Sequence, residues 1–232
     1  GFELFDSNKH PHIQHIIKHL FNYEGKPLRI NVQSNLFSGA GLGSSAALSN
    51  AMGAALHQFT KPNEELDLIK LSKIGHSAEA ATQEGRASPT DSAASSLGGC
   101  VVVSGKKIET LTHIFDTSLI TPEGERNWSI HQAELHESIN QSWLVLGFTG
   151  QSSPTGKMVS GVAERLKQNP ELYEEMESIE NITMAGLTAL KAGNMEAVGM
   201  AMNSCHEKLK NLGVSNELLD LLRIQSVPLL QI

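Results

Sequence analysis

The sequence predicts an α+β protein built from two units, and three observations support this. Residues 28–34 alternate apolar and polar side chains, which is the period of a strand buried on one face. Several longer segments place apolar residues at helical spacing, and most of them lie in the second half of the chain. The compact apolar run 142–148 is typical of a buried strand and starts a new unit. We therefore expect two domains, 1–140 and 141–232.

The composition favours a small-molecule ligand. At 232 residues, the chain is long enough for one large domain or two modest ones. Its formal charge of −7, with Lys and Arg dispersed, argues against a nucleic-acid partner. No stretch approaches the roughly 18 uninterrupted apolar residues of a membrane-spanning helix. Two cysteines, Cys100 and Cys205, are too few for a disulfide framework, so we expect a cytoplasmic protein with no membrane partner.

The first predicted helix covers residues 11–21, with Pro11 in its first turn. Its apolar residues have helical spacing: Ile13, Ile16, Ile17 and Leu20. The histidines of this segment match no recognised zinc pattern, and we interpret them as lying on a surface or partly packed helix: His10, His12, His15 and His19.

The remaining elements follow from the same patterns. Before the boundary we predict helices over 44–59 and 64–81, strands over 100–103 and 107–114, and a polar turn over 121–127. Beyond it, segments separated by Asn-Pro, Gly-Asn and Gly-Val-Ser predict four helices: 155–167, 171–192, 195–209 and 216–222.

The segment 28–47, LRINVQSNLFSGAGLGSSAA, runs from the predicted strand through a glycine-rich loop into a helix. Gly39, Gly41 and Gly43 can adopt positive φ, so the backbone can curl around an anion with its N–H groups pointing inward. The helix that begins near Ser44 adds unpaired amides and the positive end of its dipole. The loop therefore predicts phosphate binding.

Two known phosphate loops fit this segment poorly. A Walker A loop needs a lysine after its last glycine, where this chain has Ser44. A dinucleotide fingerprint is closer, because Gly41, Gly43 and Ala46 match G-x-G-x-x-A. However, the first strand of that fold lies inside a parallel sheet and should be apolar on both faces, whereas residues 28–34 alternate. An NAD-binding protein stays a distant alternative.

The run G-L-G-S-S-A-A, residues 41–47, resembles the second conserved motif of the GHMP kinases, which include galactokinase, homoserine kinase and mevalonate kinase. Residues 76–99, HSAEAATQEGRASPTDSAASSLGG, resemble a second pattern, and their Ser-Pro-Thr-Asp version is most similar to archaeal mevalonate kinases. The resemblance implies a GHMP kinase-like two-domain fold. Its N-terminal domain would be like domain 2 of ribosomal protein S5, and its helix-rich C-terminal domain would be ferredoxin-like.

The resemblance also implies a reaction, the transfer of the ATP γ-phosphate to the 5-hydroxyl of mevalonate in isoprenoid precursor synthesis. Asp91 would be the catalytic carboxylate, while Ser45 and Glu79 would hold Mg²⁺, a hard cation that prefers oxygen ligands. The ATP phosphates would lie against the loop and the start of the helix: Gly39, Ala40, Gly41, Leu42, Gly43, Ser44 and Ser45. Three further residues are candidates for contact with the acceptor: Ser88, Thr90 and Thr149.

The chain also departs from the family pattern. It has neither the first motif, Pro-Gly-[Lys/Arg]…Gly-Glu-His, nor the C-terminal G-A-G-G-G loop, so we expect a member truncated or altered at both ends. One extra residue lies between Glu79 and Gly85, and within a helix it would turn the carboxylate by about 100°. Alternative functions are a phosphomevalonate, homoserine or sugar kinase, or a non-catalytic nucleotide-binding protein. A homodimer is a further expectation.

Overall fold

The structure is a computed structural model that describes residues 6, 8–36, 39–83, 85–121, 124–151 and 155–226. The chain divides into two compact units, Gly1–Ala133 and Glu134–Ile232. Within the described ranges, no helix combines the length and the apolar content that a membrane crossing requires.

The described residues of unit 1 form four α-helices: α1 (Pro11–His15), α2 (Ser44–Thr60), α3 (Leu68–Thr82) and α4 (Thr90–Leu97). A π-helical turn, Ile16–Leu20, continues α1, so the predicted helix over 11–21 is confirmed. Helix α3 begins at Leu68, four residues later than predicted. The reason is a cap, because the Asp67 carboxylate accepts hydrogen bonds from the N–H groups of Ile69 and Lys70.

The first three helices share an apolar core made of Ile13, Ile16, Met52, Leu56 and Ala78. Helices α2 and α3 approach closely at Gly75, where an added Cβ would overlap Oδ1 of Asn50. Such a close contact needs glycine, so this residue sets the distance between the two helices that carry the site.

The strand predicted over 28–34 is wrong, because these residues form no strand in the structure. Leu28 and Ile30 pack partly buried against the first core, whereas Val32 is 53% exposed. The alternation therefore records which side chains face the helices. No strand pairs with this segment among the described residues, and a strand without partners leaves its backbone groups unpaired.

Unit 1 also contains a three-stranded antiparallel sheet with the order β1-β3-β2: β1 (Cys100–Ser104), β2 (Thr112–Thr121) and β3 (Gly124–Ala133). The predicted β1 is confirmed. The strand predicted over 107–114 is displaced towards the C-terminus, and the turn predicted over 121–127 is too long, since β3 begins at Gly124. The central strand β3 was missed because its first half, Gly-Glu-Arg-Asn, has no strand pattern.

A second core joins α4 to this sheet through Ala93, Phe115 and Ile130. The partly buried Leu97 and Val101 extend it. Helix α4 is therefore held on one side by the sheet, and its first turn is fixed relative to the rest of unit 1.

Unit 2 contains α5 (Thr155–Gln168), α6 (Tyr173–Ala192), α7 (Met195–Asn211) and α8 (Glu217–Ser226), and the four predicted helices are confirmed. Short 3₁₀ turns occupy Glu137–Gln141 and Pro170–Leu172, and α6 packs against α7.

The buried strand predicted over 142–148 is wrong. The segment forms no strand, and the Trp143 side chain is 88% exposed. Apolar side chains favour a strand only where other strands pair with it, and the described part of unit 2 contains none. The ferredoxin-like architecture of this unit stays a prediction.

Candidate active site

The glycine-rich loop has the backbone that a phosphate cradle needs. Gly39, Gly41 and Gly43 have φ values of 69°, 72° and 63°, in the left-handed region that favours glycine. Gly43 is also the N-cap of α2 and provides no side-chain hydrogen bond to the first turn. The amides at the start of α2 are therefore left without a side-chain cap, as an anion-binding helix terminus requires. The loop residues 37–38 lie outside the described part of the chain.

Ser45 and Glu79 meet between α2 and α3. The Ser45 hydroxyl hydrogen-bonds the Glu79 carboxylate, whose side chain is only 9% exposed. A second hydrogen bond comes from Nε2 of Gln83 to Oε2, at 3.3 Å. Burial acts to raise the pKa of Glu79, but the contacts with His12 and Ser45 outweigh it and hold the pKa below its ordinary value. Glu79 is therefore ionised at neutral pH.

The second Glu79 oxygen is a candidate ligand for a cation. Oε1 is buried and has no hydrogen-bond partner, although it lies 3.3 Å from Nε2 of His12, a contact that is not aligned as a hydrogen bond. A buried, ionised oxygen of this kind suits a hard cation. The described residues hold no cluster of three or more His, Cys, Asp or Glu side chains suited to a metal. Mg²⁺ needs few protein ligands because it keeps several waters, so Ser45 and Glu79 fit this ion.

Asp91 lies in the first turn of α4, next to the glycine loop. A Cβ added to Gly43 would lie 3.1 Å from Cγ of Asp91. Partial burial, followed by the negative charge of Glu79, raises the pKa of Asp91 above its ordinary value. The site therefore pairs one carboxylate of lowered pKa with one of raised pKa, an arrangement typical of two carboxylates with different roles.

Despite the extra residue between Glu79 and Gly85, the Glu79 carboxylate faces Ser45. Helix α3 continues to Thr82, three residues beyond Glu79, and residues 85–89 form a loop that leads to Asp91. That loop is held by His76, whose Nε2 donates a hydrogen bond to the Ala87 carbonyl at 3.1 Å. Burial lowers the pKa of His76, so its ring stays neutral at neutral pH.

Two buried contacts near the site were missed from the sequence. Nδ2 of Asn50 donates a 2.8 Å hydrogen bond to the Ser92 carbonyl and ties α2 to α4. His12, interpreted as a packed or surface residue, contacts Glu79. Their partners lie 42 and 67 positions away along the chain, so no local pattern could have identified them.

The candidate acceptor residues lie in different units. The hydroxyls of Ser88 and Thr90 are 2.7 Å apart, exposed, and next to Asp91 in the chain. Thr149 lies in unit 2, where Oγ1 accepts a hydrogen bond from the N–H of Gln151 at 3.2 Å. The structure therefore gathers Ser45, Glu79 and Asp91 around the glycine loop, and an acceptor role for the three hydroxyl residues stays a prediction.

Comparison with known proteins finds relatives for most of the chain. Residues 11–99 match the model of the GHMP kinases N terminal domain. The mevalonate kinase of Methanothermobacter thermautotrophicus is 29% identical over 201 residues, which cover 86% of this chain and 57% of the relative. The mevalonate kinase of Pyrococcus furiosus is 27% identical over 198 residues, covering 82% and 50%.

A third relative is the galactokinase of Thermotoga petrophila, 27% identical over 208 residues that cover 82% of this chain and 55% of the relative. The chain spans about half the length of these curated relatives. No solved structure matches it with significance. The resemblance predicted from the G-L-G-S-S-A-A run and the Ser-Pro-Thr-Asp segment is confirmed, because residues 11–99 match the GHMP kinases N terminal domain and archaeal mevalonate kinases are among the relatives.

Proposed function

We propose that this protein is an ATP-dependent kinase that phosphorylates the 5-hydroxyl of mevalonate. One observation carries the proposal. Three side chains, those of Ser45, Glu79 and Asp91, lie together beside a loop whose glycines have left-handed backbone conformations. The archaeal mevalonate kinases among the relatives support the choice of acceptor.

In the proposed site, residues 39–45 bind the ATP phosphates through backbone N–H groups and the N-terminus of α2. Ser45 and Glu79 would hold Mg²⁺, which neutralises phosphate charge when it is bound. Both ligands come from packed helices, so their oxygens need little reorganisation to receive the ion.

Asp91 would orient the acceptor hydroxyl and take its proton. A bond forms between the acceptor oxygen and the γ-phosphorus, the bond to the β–γ bridging oxygen breaks, and ADP leaves. The raised pKa makes Asp91 a stronger base than an ordinary aspartate.

The test is ADP release and product formation with Mg-ATP and mevalonate. We expect Asp91→Asn to lower kcat by about 10²- to 10⁴-fold. Glu65→Gln, which removes an exposed carboxylate outside the site, is the control and should retain wild-type kcat. ATP binding without turnover of any acceptor would instead support a non-catalytic nucleotide-binding protein, and NAD binding without ATP binding would support the dinucleotide alternative.

A second acceptor class is motivated by the galactokinase relative. The same assay with galactose, homoserine and phosphomevalonate separates these alternatives, because one acceptor should give the highest kcat/KM.

We further propose that residues 1–140 and 141–232 are the N-terminal and C-terminal GHMP kinase domains, and that the protein is a cytoplasmic homodimer. Sedimentation of the purified protein tests the dimer.

A further inference from the structure

A histidine from the first helix contacts the last turns of α3, where the proposed metal ligand lies. Nε2 of His12 is 2.9 Å from Oγ1 of Thr82 and 3.3 Å from Oε1 of Glu79. The His12 side chain is 20% exposed, so most of the ring is removed from water. This contact joins a buried carboxylate to an element 67 positions earlier in the chain.

The hydrogen bonds fix the direction of the His12 contact. The Thr82 hydroxyl has one proton, and it is donated to the Glu79 carbonyl at 2.9 Å. Oγ1 can therefore only accept from His12, so Nε2 of His12 must hold a proton. The donor is thus pointed at Thr82, with Oε1 of Glu79 at its side.

These contacts fix the orientation of the Glu79 carboxylate but leave one of its oxygens without an aligned hydrogen bond. Oε2 accepts from Gln83, and Ser45 bonds the carboxylate from the side of α2. The donor on His12 lies against Oε1 but is aligned with Thr82, so Oε1 keeps its lone pairs free. A carboxylate held in this way stays in one orientation and still has an oxygen available for a ligand.

The helix that carries His12 is anchored independently. Ile13 and Ile16 are 4% and 0% exposed and lie in the first core. One turn after His12, Nε2 of His15 lies 3.2 Å from the Ser77 hydroxyl of α3. His12 and His15 therefore make parallel contacts with α3, but only His12 contacts Glu79.

We propose that His12 is a positioning residue that holds the Glu79 carboxylate in the orientation needed to bind a divalent cation. The inference rests on the proposed function, since it adds His12 to the metal site proposed for Ser45 and Glu79. His12 touches neither ATP nor acceptor in this account. Its effect passes through the orientation of Glu79 and the hydroxyl of Thr82.

The experiment measures binding of Mn²⁺ to the full chain with ATP by the enhancement of water-proton relaxation, which rises when the ion is held on the protein and stays low when it is bound only to free ATP. We expect His12→Leu to weaken Mn²⁺ binding by about 10- to 100-fold, as loss of a ligand-orienting contact does. His12→Gln places an amide donor near the position of Nε2 and should recover most of the affinity. Thermal unfolding establishes that each variant is folded.

The matched control is His15→Leu, which removes the neighbouring contact between α1 and α3 but nothing at Glu79. It should lower the unfolding temperature and leave the Mn²⁺ affinity unchanged. If His12→Leu binds Mn²⁺ with wild-type affinity, or if His15→Leu loses as much affinity, the role of His12 is overturned and the proposed function is not affected. A wild-type protein that binds no Mn²⁺ with ATP overturns the proposed function as well.

Discussion

Gly43 and Asp91 are in contact although 47 residues separate them in sequence order. A methyl group at Gly43 would lie 3.1 Å from Cγ and 3.3 Å from Oδ2 of Asp91. The last glycine of the loop therefore makes room for the carboxylate that is proposed to act on the acceptor, in addition to allowing the left-handed turn.

Gly43→Ala should lower phosphoryl transfer more than Gly41→Ala. Both glycines have positive φ, 63° and 72°, so alanine at either position costs about 1–2 kcal/mol of backbone strain. Only at Gly43 does the new methyl group displace Asp91, since Gly41 has no atom within 4 Å of an added Cβ. We expect kcat to fall by about 10²-fold more in Gly43→Ala. Equal kcat values in the two variants would contradict this.

Asp91 should make stability depend on pH. The pKa of Asp91 is higher in the folded protein than in the unfolded chain, so the folded protein keeps this proton to a higher pH. The free energy of unfolding therefore falls as the pH rises through this titration. Asp91→Asn removes this dependence. The difference in free energy of unfolding, Asp91→Asn minus wild type, should therefore increase as the pH rises above the ordinary aspartate value of 3.8. Urea unfolding from pH 4 to pH 7 measures it, and a flat difference would refute the prediction.

Gly75→Ala should destabilise unit 1 by about 1–3 kcal/mol, because the new Cβ overlaps Oδ1 of Asn50 and lies 3.1 Å from Cβ of Ser92. This loss exceeds the gain of about 1 kcal/mol that alanine brings to a helix interior. Gly199→Ala in α7 is the control, since nothing lies within 4 Å of its added Cβ, and it should be stabilising. Urea unfolding followed by circular dichroism distinguishes the two, and a neutral Gly75→Ala would mean that α2 and α3 can separate without cost.

Asp116 should contribute a different pH dependence. Its carboxylate lies 2.9 Å from Nε2 of His113 and accepts a 2.7 Å hydrogen bond from Ser129, and these contacts lower its pKa to about 2. A lowered pKa stabilises the fold above the ordinary value of 3.8, and the contribution is lost as the pH falls towards 2. Wild type should therefore lose stability over this range faster than Asp116→Asn. Acid titration at a fixed urea concentration measures this loss of stability. The control is Glu109→Gln, which removes another exposed carboxylate of unit 1 and should lose stability as wild type does.

Most of the helices were predictable from the sequence because their information is local, but the short helix α4 was not predicted. Apolar spacing and punctuation by Gly, Pro and Asn placed α2 and the four helices of unit 2 within a few residues. Strands were harder to predict, because a strand depends on partners elsewhere in the chain. The alternation of residues 28–34 and the apolar run 142–148 both suggested strands, but neither segment pairs in the structure. Conversely, β3 lacks a strand pattern in its sequence and forms a strand because it pairs with β1 and β2 on either side.

The candidate site divides in the same way. The glycine loop and the Ser-Pro-Thr-Asp segment are each one continuous stretch of chain, so the sequence could identify both as candidate site segments. The contacts that hold the site together, from His12 to Glu79 and from Asn50 to Ser92, cross between helices and depend on how those helices pack. Only the structure could identify these residues.

Each unit contains one tryptophan, and the two have contrasting surroundings. The Trp128 ring lies edge-on to His76 in unit 1, with ring centroids 5.4 Å apart, while Trp143 of unit 2 is 88% exposed. Indole emission moves to shorter wavelength when the ring is shielded from water, so the two should emit at different wavelengths. Because His76 also holds the loop that leads to Asp91, Trp128 is an intrinsic fluorescent reporter of the candidate active-site loop. In Trp143→Phe, Trp128 would be the only tryptophan that emits.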